Sequence, residues 1–358
     1  MPINKVDQQH KDLIKKILRY GATKNDRTGV GTKSIFGHQL VYDLEEGFPL
    51  LTLRKIHTKS VIHEMLWFLG AYDQEKYGGF GNTNIRYLLD NGVTFWSDWP
   101  YYSYLRAREY RPELPDMTMK EFEGKIVIDD AFAKEFGSIG PGYGKQWLNY
   151  GGKLEVEKNG DENKFILTQG INQIDYLIQE LKRDPDSRRL ILDAWKVDEI
   201  EEMLLPPCHY TFQLWSKKIK PEHRFQSYSK WITKNKLPYG KPMEEFNFPE
   251  RKLSMMLTIR SNDIGLGNPF NVAEYALLLH MIAQVVNMIP NKLFINIGDA
   301  HIYCNHIDQM KKLLERESYD LPEIILNKDI KNIQDFRYDD IKIENYKAHS
   351  NIKMDVAV

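Results

Sequence analysis

The stretch Leu204–Trp215, LLPPCHYTFQLW, sets two prolines, a cysteine and a histidine at the mouth of a run that alternates faces from Tyr210 onward. Alternation at a period of two marks a strand. Pro206 and Pro207 stiffen the backbone behind Cys208. A free cysteine also packs as a small hydrophobe, so this stretch alone leaves packing and reactivity both open.

Similar strand-like runs flank it: SIFGHQLVYDL (34–44), RLILDAW (189–195), KLSMMLTIRS (252–261) and KLFINIGD (292–299). Helical runs are interposed. QHKDLIKKILRYG (9–21) places Leu13, Ile14, Ile17 and Leu18 on one face and stops at Gly21. SVIHEMLWFLG (60–70), opened by Ser60, forms an apolar arc of Val61, Ile62, Met65, Leu66, Phe68 and Leu69, with Glu64 at its border. From that border a carboxylate reaches either solvent or an interior cleft. GINQIDYLIQELKRDPD (170–186) ends at Asp184-Pro185, and YCNHIDQMKKLLERE (303–317) closes the series. The long run NVAEYALLLHMIAQVVNMI (271–289) is apolar around most of its circumference and should lie centrally. The pattern predicts an α+β fold with a mixed β-sheet flanked by helices.

At about 150 residues per domain, a chain of 358 residues suggests two domains. The 42% hydrophobic and 12% aromatic content suffices for a sizeable core. A formal charge of −1 provides no overall field for nucleic acid or an anionic membrane. Two cysteines build no disulfide framework, and no signal peptide or long apolar span is evident, so a reducing cytoplasm is expected. The glycine- and tyrosine-rich segment at about 71–82 and the lysine-rich segment at 216–250 look inserted. The latter interleaves Phe225, Tyr228, Trp231 and Tyr239 with its lysines, as a nucleic-acid patch does. A solvated excursion beyond a hairpin is the simpler reading, because the strands on either side make sense without it.

Arg27 in NDRTG, Arg188 and Arg189 in DPDSRR, and Arg260 in TIRSND occupy turns or strand ends. Guanidinium groups offer paired donors that match phosphate, although each alone also reads as surface charge. Arg260 stands out because it ends an apolar strand and precedes Ser261. Asn271, opening the long helix, suits an N-cap. His301, Cys304 and His306 beside Cys208 and His209 raise a zinc site, but their spacings match no common structural zinc pattern, and no metal is expected.

In order, DRTGVGT, FPLLTLRKIH, DPDSRR, LPPCH, RSNDIGLGNPFN, GDAHIYCNH and the terminal NIKMDVAV resemble thymidylate synthase. The likeness runs from about residue 9 to Val358, and DDAFAKEFG leading to YGKQW resembles the longer bacterial form. It implies one large catalytic domain over 1–358, in place of two, with insertions at about 71–82, 100–138 and 216–250. It also implies a homodimer paired through its sheet.

The resemblance further implies reductive methylation of dUMP to dTMP, with 5,10-methylenetetrahydrofolate giving both carbon and hydride. Cys208 would add to uracil C6 as a thiolate, its pKa lowered by Arg260. Arg27, Arg260 and Ser261 would hold the phosphate, with Arg188 and Arg189 supplied by the partner subunit. Asn271 would read the uracil edge, with Asn262 and Asp263 beside it, and His301 and Tyr303 would bond the ribose. Glu64 would move protons through water, and Tyr143 would assist proton removal at C5. Asp263 would also accept from the pterin, and His57, Trp96, Leu266, Gly267, Phe270 and Ala357 of the tail would line the folate pocket.

Ile259, Lys196 and Ser97 stand where most members of that family carry glutamine, asparagine and aspartate, and Ala348 and Ser350 replace prolines. Two alternatives remain: a dUMP hydroxymethylase, and an RNA-binding protein on a synthase scaffold. Trp96 and the tail argue against the first; Cys208 and the arginines argue against the second. Neither nucleic acid nor a membrane is expected as a partner.

Overall fold

The computed structural model describes residues 4–25, 29–152, 154–159, 162–167 and 169–355. Its centre is a six-stranded sheet built from β1 (Ala22–Lys24), β2 (Thr32–Asp43), β3 (Ile191–Asp193), β4 (His209–Lys218), β5 (Arg251–Asp263) and β6 (Ile289–Tyr303). The spatial order is β1-β2-β6-β5-β4-β3. All neighbours run antiparallel except β5 and β6, which are parallel. Alternation along each strand sorts side chains to two faces. Leu192, Phe212, Leu257, Ile295 and Leu40 are successive cross-strand partners in one row, each at most 1% exposed. Burying each such side chain stabilises by roughly 1.5–3 kcal/mol.

Three helices frame the functional edge of this sheet or pack beside it: α1 (Lys5–Tyr20), α2 (Thr58–Phe68) and α3 (Gly267–Val285). α1 starts where the Asn4 side chain accepts the N–H groups of Val6 and Asp7. It stops at Gly21, whose N–H donates to Ile17 O at 2.8 Å. That position is glycine for space, since a Cβ there would meet Ile17 O at 2.5 Å.

α3 packs against β5, β6 and α2 and is buried on nearly every side. It begins at Gly267, so Asn271 lies inside the helix and is not its N-cap. α2 begins earlier than Ser60 suggested, with His57 at its N-cap. Every residue from Ser60 to Phe68 is buried, because α3 and the segments Arg86–Asp90 and Tyr338–Asp340 also pack on it. Glu64 is therefore enclosed, not placed at a border with solvent.

The segment at 71–82 holds the helix Gln74–Tyr77 and a turn of 3-10 helix, Gly78–Phe80. Across 100–138 run Asp98–Tyr110, Met119–Ile128 and Asp130–Phe136. The segment at 216–250 continues β4, forms the helix Pro221–Lys234 and returns into β5. Its Ile219, Tyr228, Ile232 and Phe248 make a small core of their own, while Lys217, Lys218, Lys220, Lys230, Lys236 and Lys241 are exposed.

Candidate active site

β5 and β6 are parallel, so their C-terminal ends meet at one edge of the sheet, where Asp263 pairs with His301. β4 runs the other way and starts at that edge, with His209 opposite Ile259. This topology gathers Cys208, Arg260 to Asp263, His301 and Tyr303.

Cys208 is half-buried and fixed through its backbone. Its N–H donates to Tyr143 Oη at 2.9 Å, and its carbonyl accepts the Arg260 N–H at 2.8 Å. Arg260 also donates from Nε to Pro207 O at 2.9 Å and from Nη2 to Pro206 O at 2.8 Å. Its guanidinium lies 5.4 Å from the centre of the Trp195 ring. The prolines thus also offer carbonyls that orient Arg260. Burial pushes the Cys208 thiol up, and the Arg260 charge opposes that rise.

Tyr143 reaches Cys208 through a backbone with φ of 32°, a region that costs a non-glycine residue about 1–3 kcal/mol. Its ring stacks on Phe68 at 5.0 Å and lies 4.6 Å from His209. Just upstream, Ile139 O accepts the Leu204 N–H at 3.0 Å, tying the loop to the segment before Cys208. Gly140 permits this approach, with φ of 81° and a Cβ position only 2.3 Å from Glu202 O. Burial and the neighbouring Cys208 push the Tyr143 hydroxyl well above its ordinary range, so it stays protonated.

A second cluster joins α2 to α3. Glu64 Oε1 accepts from Trp96 Nε1 at 2.5 Å. Asn271 Nδ2 donates to Glu274 Oε2 at 3.3 Å, and Asn271 Oδ1 accepts from Asn262 Nδ2 at 3.0 Å. Asn262 Oδ1 accepts in turn from Asn268 Nδ2 at 2.7 Å. These partners fix which way the Asn271 amide points and leave it one donor and one acceptor for a ligand.

Beside this cluster, Asp263 Oδ1 accepts the Gly265 N–H at 2.8 Å, leaving its second oxygen available. Leu266, Gly267 and Phe270 are half-buried, and Phe95 meets the Phe270 ring edge-on at 6.1 Å. Buried Arg54 donates to Gly265 O at 2.7 Å and braces this loop. Burial pulls its guanidinium down to about 10, which leaves it charged at neutral pH. His57 is exposed, with Nδ1 2.7 Å from Ser60 Oγ. His301 Nδ1 lies 3.3 Å from Asp299 Oδ1. Near the chain's end, Met354 is buried and His306 Nε2 donates to Asp355 O at 2.8 Å.

A cysteine held by its backbone, an oriented side-chain amide and an enclosed carboxylate suit covalent chemistry on a heterocycle. The thymidylate synthase family model matches residues 8–358. The thymidylate synthase of Malacoplasma penetrans is 41% identical over 351 residues, covering 98% of this chain and 100% of that protein. The enzymes named thymidylate synthase from Mycoplasma mobile and Aster yellows witches'-broom phytoplasma are each 40% identical, covering 98% and 97% of this chain and 100% and 98% of their own.

The chain belongs to the thymidylate synthase family. It is an enzyme with thymidylate synthase activity, hence a methyltransferase. Among the residues singled out by likeness to thymidylate synthase, Cys208, Arg260 and Tyr143 form one contact set, and Glu64, Trp96, Asn262 and Asn271 belong to the other. Ser261, Asp263, His301 and Tyr303 share the strand ends at the same edge. Arg27 and Ala357 lie outside the described residues. Arg188 and Arg189 are exposed in the loop before β3. Leu190 O accepts the Leu214 N–H, which sets this loop six positions along β4 from Cys208. At the rise of a strand that is about 20 Å, beyond the reach of an arginine side chain.

Sequence reading passed over Glu274, Asn268, Arg54 and Phe95. Glu274 did carry a signal, as the lone acid in an apolar helix. Ile259, in place of the family's usual glutamine, is wholly buried on the inward face of β5. Lys196 pairs with Asp198. Among the described residues, no group of three or more His, Cys, Asp or Glu could hold a metal ion, and no helix is long and apolar enough to cross a membrane.

Proposed function

We propose that the enzyme methylates dUMP to dTMP with 5,10-methylenetetrahydrofolate, through a covalent bond between Cys208 Sγ and uracil C6. The observation that carries this reading is the clamp on the Cys208 backbone between Tyr143 and Arg260. Thiolate addition at C6 makes C5 electron-rich, and C5 then bonds to the folate's methylene carbon. Loss of the C5 proton frees the folate and leaves an exocyclic methylene. Hydride from the folate converts it to methyl as the Cys208 bond breaks, giving dTMP and dihydrofolate.

In this scheme Arg260, Ser261 and Arg27 bind the phosphate, and His301 and Tyr303 bind the ribose. Asn271 accepts from N3–H and donates to O4, an edge that cytosine presents in reverse. Asn262 and Asp263 flank it. Glu64 serves proton transfer at O4 and C5, and the C5 proton leaves to ordered water with the neutral Tyr143 hydroxyl assisting as a hydrogen-bond partner. Asp263, His57, Trp96, Leu266, Gly267, Phe270 and Ala357 form the folate side. The protection of the methylene from water is assigned to Trp96 and the tail.

Arg188 and Arg189 act on the site of a second copy, because about 20 Å of strand separates them from their own Cys208. The sheet face opposite the core supports that pairing. Ile191 and Met256 are exposed there, in one cross-strand line with half-buried Phe294 and Val41, and Trp215 is exposed on the same face; apolar surface of this kind marks an interface. The enzyme is thus a homodimer of single-domain subunits, cytoplasmic, with the segments at about 71–82, 100–138 and 216–250 as insertions.

Incubation with dUMP and methylenetetrahydrofolate tests this. A methylated nucleotide formed with equimolar dihydrofolate is expected. A hydroxymethyl product with tetrahydrofolate returned would replace the proposal with hydroxymethylation. Absence of a covalent Cys208 adduct with a 5-fluorinated analogue and the folate would remove the nucleophile.

A further inference from the structure

Glu274 has no part in the proposed methylation scheme, yet it touches both of that scheme's polar readers. It is the one acidic residue of α3, and it is 1% exposed. Its Oε2 accepts from Asn271, while its Oε1 is buried and meets no donor. The Glu64 carboxyl, projecting from α2, lies within hydrogen-bonding range of Glu274. Two ionised carboxylates at such a distance in an apolar setting repel strongly. A single proton between them removes the repulsion and supplies the missing donor.

The surroundings decide which residue holds it. Glu64 accepts the short bond from Trp96 Nε1, which favours its ionised form. Glu274 receives only the longer Asn271 contact. Tyr143 and Tyr275 are the other titratable neighbours, and burial keeps both protonated. Among the described residues, no cation bears on either carboxyl.

We infer that Glu274 is a neutral carboxylic acid that donates from one oxygen to Glu64 and accepts with the other from Asn271. It is a positioning residue, and the inference rests on the proposed roles of Glu64 and Asn271. The bonds then run in one direction: Asn268 to Asn262, Asn262 to Asn271, Asn271 to Glu274, and Glu274 to Glu64. The residue that reads the base is thereby oriented by the same proton that holds the proton-transfer carboxylate. Burial pushes both carboxyls up, as one proton shared by the pair requires.

Glu274→Met removes both bonds and should lower kcat by roughly 10²-fold, with a smaller change in KM for dUMP. Glu274→Gln supplies the same donor and acceptor and should rescue kcat to within about threefold of the parent. Infrared spectroscopy gives a second readout: the carbonyl band of a buried protonated carboxylic acid, present in the parent at neutral pH and absent from Glu274→Gln. A Gln variant as slow as the Met variant at equal thermal stability, or a parent without that band, would overturn the inference. Glu64→Gln separates the two claims: full activity there would defeat the role given to Glu64, whatever Glu274 does.

Discussion

The hydroxyl oxygen of Tyr143 accepts the backbone N–H of Cys208 at 2.9 Å. A residue held at positive φ thus fixes Cys208 through the main chain and leaves its side chain free. Removing that oxygen strands a buried N–H, which costs about 1–3 kcal/mol. Tyr143→Phe should therefore lower the denaturant midpoint as well as turnover. A variant with both unaltered would show that the contact does not position the nucleophile.

In the proposed scheme Cys208 reacts as a thiolate, and burial raises its pKa while Arg260 restrains the rise. Less thiolate is then present at neutral pH than in a free cysteine. Iodoacetamide labelling of Cys208 should keep accelerating above about pH 8.5, the midpoint of an unperturbed thiol. Arg260→Gln removes the restraint, so its labelling curve should move to still higher pH. A move to lower pH would mean that Arg260 does not favour the thiolate.

Asn271→Asp should shift preference from dUMP toward dCMP, since a protonated carboxyl offers N3 a donor where the amide offered an acceptor. The reversed edge is worth about 1–3 kcal/mol, or roughly a tenfold to hundredfold change in the ratio of kcat/KM values. An unchanged ratio would take base reading away from this position.

Mixing subunits tests the assignment of Arg188 and Arg189. A Cys208→Ser chain and a chain with both arginines changed to alanine should each be nearly inactive, the first still binding dUMP. Refolded together, they should recover about a quarter of the parent activity, because half of the dimers carry one intact site. No recovery in verified heterodimers would place all the arginines and the cysteine of a site on one chain.

His10 and His209 are buried, and burial holds each down at about 3. Unfolding returns them to about 6.5, so between those limits the unfolded chain binds more protons and stability rises with pH. Their contribution is complete above about pH 6.5 and fades as acid is added, by at most roughly 2 kcal/mol each by pH 5. Urea midpoints at several pH values should show this slope, flattened in His10→Gln. A midpoint independent of pH from 7 to 5 would contradict it.

Period-two runs disclosed β2, β4, β5 and β6, and ordered motifs singled out Cys208 and the arginines. Less was visible where burial depends on what arrives from elsewhere. The helical arc through Val61 and Met65 could not reveal that Arg86–Asp90 and Tyr338–Asp340 would close over its other side. Asn271 looked like a cap because asparagine favours caps, yet helix geometry set in at Gly267, ahead of it. Arg54 and Asn268 act on loop carbonyls and amide partners brought close only by the tertiary fold. Glu274 was the exception, an acid conspicuous by its company.

β4 carries the chain ten residues from the Cys208 edge before the Pro221–Lys234 helix begins, a span of about 30 Å. Pairing of Lys218 with Arg251 seals the strands beneath that excursion. The strand register thus closes independently of the loop beyond the helix, and a fluorophore or epitope grafted between Lys236 and Pro242 should leave turnover unaltered.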